Sequence, residues 1–193
     1  MPLTPFHYPI AWGLSKVNGK LSLPGLIVSS FIPDIEVPIL FIFFHGVLPD
    51  HFILHSLVGA LTFGTCISIL ITVIFYPVLI SFIFRLNRIK IKEVCKLSPD
   101  LIISCMLGNL FHIFLDFPMH PFNPVLWPFI DPYDIVGPLV LAFAIEGDLN
   151  VGFLYARILT NIVMGGLMII IFFKNRKNLL EKILVGNTYL KSK

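Results

Sequence analysis

Charge is scarce in this sequence. Asp, Glu, Lys and Arg make up 13% of its 193 residues, about half the share typical of soluble domains. So few charges cannot coat a 21.8 kDa globule, which excludes an ordinary cytosolic enzyme. The same scarcity excludes a nucleic-acid-binding module, and the formal net charge of +3 is modest, so its placement matters more than its size. A hydrophobic share of 56% excludes disorder. Cysteine is scarce too. The three cysteines (Cys66, Cys95, Cys105) show no CxxC spacing, and their odd number argues against a disulfide framework and thiolate metal ligation. The start, Met1 to His7, has no basic stretch leading into an apolar core, so no cleavable signal peptide is expected. No repeat, low-complexity tract or linker appears, which predicts a single domain over residues 1–193.

What the chain does have is long apolar runs. A membrane-crossing helix needs about 20 mostly apolar residues. Leu57 to Phe84 carries no charge, Leu101 to Leu115 has only His112 as a chargeable group, and Val151 to Phe173 has only Arg157. Leu26 to Leu48 is long enough but is interrupted by Pro33-Asp34-Ile35-Glu36 and by Pro38. Ile135 to Ile145 is too short to span and reads as re-entrant or interfacial. The expected fold is all-α: an integral-membrane helical bundle with about four (three to five) transmembrane helices and a broken first hydrophobic segment. Thr4 before Pro5 and Ser98 before Pro99 read as helix N-caps with proline at the first helical position, and Pro49-Asp50 as a further helix start.

Eleven of the fourteen basic residues fall in two places. Arg85, Arg88, Lys90, Lys92 and Lys96 sit between the second and third runs, and Lys174, Arg176, Lys177, Lys182, Lys191 and Lys193 follow the last. By the positive-inside rule both segments, and so the C-terminus, are cytoplasmic in a cell-membrane protein. The histidines and acids then collect at the outer face: His51 and His55 before the second run, His112, Asp116 and His120 around the end of the third, and Asp131, Asp134, Glu146 and Asp148 beyond it. Lys16 and Lys20 point the other way and suggest a cytoplasmic N-terminus. An outer location for the first helix keeps His7 with the other histidines.

Several residues carry possible chemistry, each beside a plainer reading. His112 and Asp116 are four apart and share one helix face, a spacing that suits zinc or a similar ion; the plainer reading is a mutually satisfied pair closing a helix. His51 and His55 repeat that spacing. Asp34 and Glu36 lie inside an apolar run, where ionisable groups are costly and so point to function; the plainer reading is a polar loop between two short helices. Arg157 reads as an ion-pair partner for Glu146, Asp148 or another acid, or as an anion clamp. His45 and the aromatic, proline-rich stretch from Phe117 to Tyr133 read as interfacial.

Four pieces occur in order: Thr4-Pro5-Phe6-His7-Tyr8-Pro9, Ile32-Pro33-Asp34-Ile35-Glu36, Leu54-His55-Ser56-Leu57 and His112-Ile113-Phe114-Leu115-Asp116. Over roughly Pro2 to Trp127 this order resembles the predicted membrane-bound metal-dependent hydrolases of bacteria and archaea, which are similar, more distantly, to the zinc-dependent phospholipase C and single-strand nuclease superfamily. The resemblance implies a helical metal site with His7, Asp34, His55, His112 and Asp116 as ligands and a divalent ion, zinc, as cofactor. The soluble relatives add a later HxxxE pair. Here Glu146 has Ala142 four residues before it, which points to one or two ions in place of three.

The function expected is therefore an integral-membrane hydrolase of a phosphoester, lipid substrates included, working at the extracytoplasmic face through metal-activated water. Asp34 or Glu36, whichever is not a ligand, would serve as general base. The bilayer is the expected partner, and nucleic acid is not. The rival readings are a transporter or channel for protons or divalent metal ions, and a non-catalytic membrane scaffold. The few hydroxyls and absent charge in Leu57 to Phe84 disfavour a through-path.

Overall fold

The computed structural model describes residues 3–186. Pro2, where the resemblance begins, and Lys191 and Lys193, two of the basic residues that set the orientation, lie outside them. The described residues form an all-α bundle, and four of its helices are long and apolar enough to cross a membrane. A short turn of 3-10 helix, Thr4–His7, leads into α1 (Tyr8–Val17). The first span is broken into α2 (Leu23–Ser29) and α3 (Ile32–Phe44). It is followed by α4 (Leu57–Phe84), a connecting α5 (Arg88–Val94) and α6 (Pro99–Asp116). A short α7 (Pro138–Phe143) precedes α8 (Leu149–Lys174) and α9 (Leu179–Leu184).

The helix starts follow local chemistry. Ser22, Ser56, Ser98 and Asp148 each turn a side-chain oxygen onto a free backbone N–H of α2, α4, α6 and α8 respectively. The Ser98 cap is the expected one. Thr4 is not a side-chain cap, because the first turn begins with Leu3 at the capping position. Pro49-Asp50 opens no helix; the chain stays irregular until Ser56 caps α4. The break in the first span falls at Ser30-Phe31, just before Pro33, whose missing N–H leaves the Ser29 carbonyl without its next helical donor.

Small residues set the spacing of the bundle. α2 and α6 run parallel and in step: Gly25 faces Leu101, Ser104 and Cys105, and Gly108 faces Leu26 and Ser29. A side chain at Gly108 would collide with the Ser29 hydroxyl, so the two backbones touch. α4 runs antiparallel to both. Gly64 faces the Asn109 amide, which donates to Ser68 Oγ at 3.2 Å. α8 packs on α7 through Gly152 and on the ring of Phe6 through Gly165.

α1 settles the conflict over the N-terminus. Lys16 and Lys20 line a cleft with Glu93, Ser98, Asp100, Val185 and Gly186, so they sit at the basic end with the 85–98 connection. α1 does not lie flat across the histidine end of the bundle. It is a half-length helix that carries the chain from His7, inside the bundle, down to Lys16 at the basic end. At 1.5 Å per residue, His112 stands about 20 Å along α6 from Pro99.

The α2–α6 contact predicts a contrast. Gly108→Val should destabilise the detergent-solubilised protein by about 1–3 kcal/mol through overpacking. Gly13→Ala, with nothing within 4 Å of the new methyl, should leave the thermal midpoint unchanged or raise it. Thermal unfolding of the two variants beside wild type checks this.

Candidate metal centre

Four elements bring the site together. His112 and Asp116 share one face of α6. Asp34 stands in the first turn of α3, just past the break. His55 ends the irregular segment before α4, and His7 closes the turn before α1. All are buried, with 1–7% exposure.

One ligand atom each from Asp34, His55, His112 and Asp116 lies within 4.8 Å of the others. His112 Nε2 is 3.3 Å from Asp116 Oδ2 and 3.5 Å from Asp34 Oδ1. His55 Nε2 is 3.9 Å from each of those oxygens. None of these atoms has a hydrogen-bond partner, nor does Asp34 Oδ2. Orphaned polar atoms are rare in a protein interior, because each forfeits the hydration it had in water. Here they face one another. Bonds of about 2.0–2.1 Å to a tetrahedral ion put neighbouring ligand atoms about 3.3 Å apart, close to the shorter separations. The group fits a divalent ion in spacing, in donor type and in its two negative charges.

The outer faces of the imidazoles are fixed. His112 Nδ1 donates to the Ser30 carbonyl at 2.7 Å, across the break in the first span. That bond sets the tautomer and leaves the Nε2 lone pair facing the group. His55 Nδ1 donates to Glu36 Oε2 at 3.1 Å. The same oxygen accepts the N–H groups of Phe52 (3.1 Å) and Leu54 (3.0 Å). Glu36 therefore ties down the 52–55 segment and turns His55 Nε2 inward. Burial by itself lowers the His55 pKa, but the carboxylates of Asp34, Glu36 and Asp116 overcome it and hold the value up at about 9.

His7 joins the edge of the group. Its Nε2 is 3.2 Å from Asp116 Oδ1, and its ring stacks on His112 at 4.0 Å and 13°. It is not among the four mutually close ligands. His51 and His120 form an outer layer. The His51 ring lies 4.4 Å from His55 and 4.6 Å from His120. His120 Nε2 is 3.9 Å from Asp116 Oδ2 and has no hydrogen-bond partner. Burial first, against a weaker pull from Asp116, pushes its pKa down to about 3, so it is neutral. Both line a small cavity with Asp116, Phe117 and Asn123.

The structure thus gathers Asp34, His55, His112 and Asp116, sets His7 beside them, and places Glu36 behind His55. Sequence reasoning missed Ser30 and Asn123. The Asn123 amide and the Gly137 N–H both bond the His120 carbonyl. Neither pairing leaves a spacing that the sequence displays. His45 is exposed on the far end of α3. No carboxylate among the described residues pairs with Arg157, so its expected ion pair is not formed.

Fold and site together define a membrane-type helical bundle with a buried His–Asp group able to hold a metal ion. Residues 1–127 match the family model described as a domain of unknown function, DUF4184, and the chain belongs to that family. The match takes in every histidine and acid of the site. No curated protein and no solved structure matches the chain.

If Glu36 orients a ligand, Glu36→Gln should weaken zinc binding by about 10–100-fold. Asp50→Asn, on the exposed loop nearby, should leave it unchanged. Titration of metal-stripped protein against a chromogenic zinc chelator reads both.

Proposed function

We propose that this protein is an integral-membrane, metal-dependent hydrolase of phosphoesters, with lipids as its substrate class. One observation carries the reading: buried carboxylate and imidazole atoms without hydrogen bonds, converging on one point inside the helical bundle. Asp34, His55, His112 and Asp116 would hold the ion. Imidazole and carboxylate donors suit zinc. An ion held by these four residues would supply Lewis-acid chemistry, a bound water made acidic near neutral pH and a polarised phosphoryl oxygen.

The chain's own groups prepare the site. The Ser30 carbonyl and Glu36 fix the two imidazoles, and His7 holds one oxygen of Asp116. Glu36, with one oxygen occupied by three donors, is assigned to positioning His55. That leaves Asp34 at the ion itself, either as a ligand or as the base that takes a proton from water. By the positive-inside rule the basic end is cytoplasmic, the C-terminus with it, and the site opens on the extracytoplasmic side of the cell membrane. The order of the ligand motifs supports a distant relation to the zinc-dependent phospholipase C and single-strand nuclease superfamily. Ala142, standing four residues before Glu146, supports a smaller site of one or two ions.

Transport is less well supported. The buried hydroxyls of Ser29, Thr65, Ser68 and Thr72 donate to carbonyls of their own helices. Hydroxyls engaged in this way form no continuous relay between the site and the basic end.

Zinc-loaded protein in detergent should hydrolyse bis-p-nitrophenyl phosphate or a fluorescent glycerophospholipid. Asp34→Asn and His112→Ala should each lose at least about a hundredfold. Metal content measured on the same samples separates loss of the ion from loss of chemistry. A metal-loaded wild type that turns over none of these esters would sink the hydrolase reading.

A further inference from the structure

Arg157 is a charged residue in an apolar span with no acid partner. It lies on α8, eight residues below the helix start, and is exposed. An arginine inside a span usually faces the bundle interior or pairs with an acid. The four acids that precede it in the outer segment, Asp131, Asp134, Glu146 and Asp148, make no ion pair with it, and neither does any other described carboxylate.

Its neighbours along the helix show where it stands. One turn above, Phe153 packs its ring 5.9 Å from that of His120, in the outer layer of the metal group. One turn below, Asn161 Oδ1 accepts the Leu3 N–H at 3.0 Å, and its amide returns to the Arg157 carbonyl at 2.8 Å. A further turn on, the Phe6 ring lies against Gly165. Residues four apart share a helix face, so Arg157 sits on the seam between α8 and the turn that carries His7. Its depth also matters. α8 has 26 residues and is about 39 Å long, so it exceeds a hydrocarbon core of about 30 Å. Eight residues from the start is about 12 Å along the axis, and a helix centred on that core carries Arg157 about 7–8 Å inside the headgroup boundary. From that depth a snorkelling guanidinium can reach the level of a phospholipid's phosphate.

We propose that Arg157 is the anion-binding group of this site: its guanidinium holds the phosphate of a membrane amphiphile at the seam between α8 and the N-terminal turn, beside the metal group. The inference rests on the hydrolase reading for what happens to that phosphate, but not for its capture. A planar fork of donors matches phosphate oxygens, and the missing acid partner leaves the fork available. Arg157 lies beyond the residues that the family model matches, so the assignment concerns this chain.

The test uses the full chain in vesicles of 9:1 dioleoylphosphatidylcholine and dioleoylphosphatidic acid, released for native mass spectrometry. Wild type should retain phosphatidate. Arg157→Gln should retain about tenfold less, Arg157→Lys an intermediate amount, and Lys174→Gln, at the other end of the helix, as much as wild type. Equal retention by Arg157→Gln and wild type would overturn the proposal. So would an equal loss in Lys174→Gln, which would reduce the effect to general surface charge. A second arm adds inorganic phosphate to protein in pure phosphatidylcholine vesicles. Arg157-dependent thermal stabilisation there shows that free phosphate suffices, and its absence, with phosphatidate still retained, assigns the site to lipid-borne phosphate. Metal content keeps the two readings apart. A metal-free wild type that still holds phosphatidate through Arg157 contradicts the hydrolase and leaves the anion site standing. A zinc-loaded wild type without Arg157-dependent retention contradicts the anion site alone.

Discussion

Two carboxylates and two imidazoles are held face to face in the apolar middle of a helical bundle, and most of the structure serves that arrangement. Burying one unpaired carboxylate costs several kcal/mol. Burying Asp34 and Asp116 within reach of one another costs more, unless positive charge lies between them. The surrounding hydrogen bonds do not relieve this. They fix the outer nitrogens of His55 and His112 and leave the inward atoms bare. A network that satisfies only its periphery is unstable as a structural core and well formed as a cation site.

The bundle is shaped by the same requirement. α2 and α6 touch through Gly25 and Gly108, so the Ser30 carbonyl at the break reaches His112 directly. Were the first span continuous, that carbonyl would turn to its own helix. Pro33 withholds a helical donor at that point, and Asp34 stands at the start of a new helix, opposite the last turns of α6. The half-length α1 does for His7 what the break does for Asp34. It begins at the site and leads away from it, so one more imidazole reaches the bundle interior on a helix of only ten residues.

Much of this was legible in the sequence because the signals are local. A charge-free run of 28 residues gives α4 its full extent, Leu57–Phe84. His112 and Asp116 show their shared face by spacing, and Pro33 shows the broken span. The conflict between Lys16 and His7 was not resolvable from charge alone, since its answer is the length of α1, and ten residues span only about 15 Å. Glu36 looked like a second catalytic acid because its partners, Phe52, Leu54 and His55, are set by tertiary contact. Ser30 and Asn123 were invisible for the same reason: a backbone carbonyl and a lone amide have no periodicity. Arg157 was legible as an anomaly, and its role turned on whether an acid met it.

The central claim is that the orphaned atoms of Asp34, His55, His112 and Asp116 are ligands to one ion. X-ray absorption spectroscopy at the zinc edge of the reconstituted full chain tests it most directly. The account predicts a first shell of nitrogen and oxygen only, at about 2.0–2.1 Å, with the outer-shell scattering of about two imidazoles. A sulfur shell at about 2.3 Å would move the ion to the cysteines, and a spectrum of hexaaqua zinc would leave the buried group without an ion. Either would contradict the account.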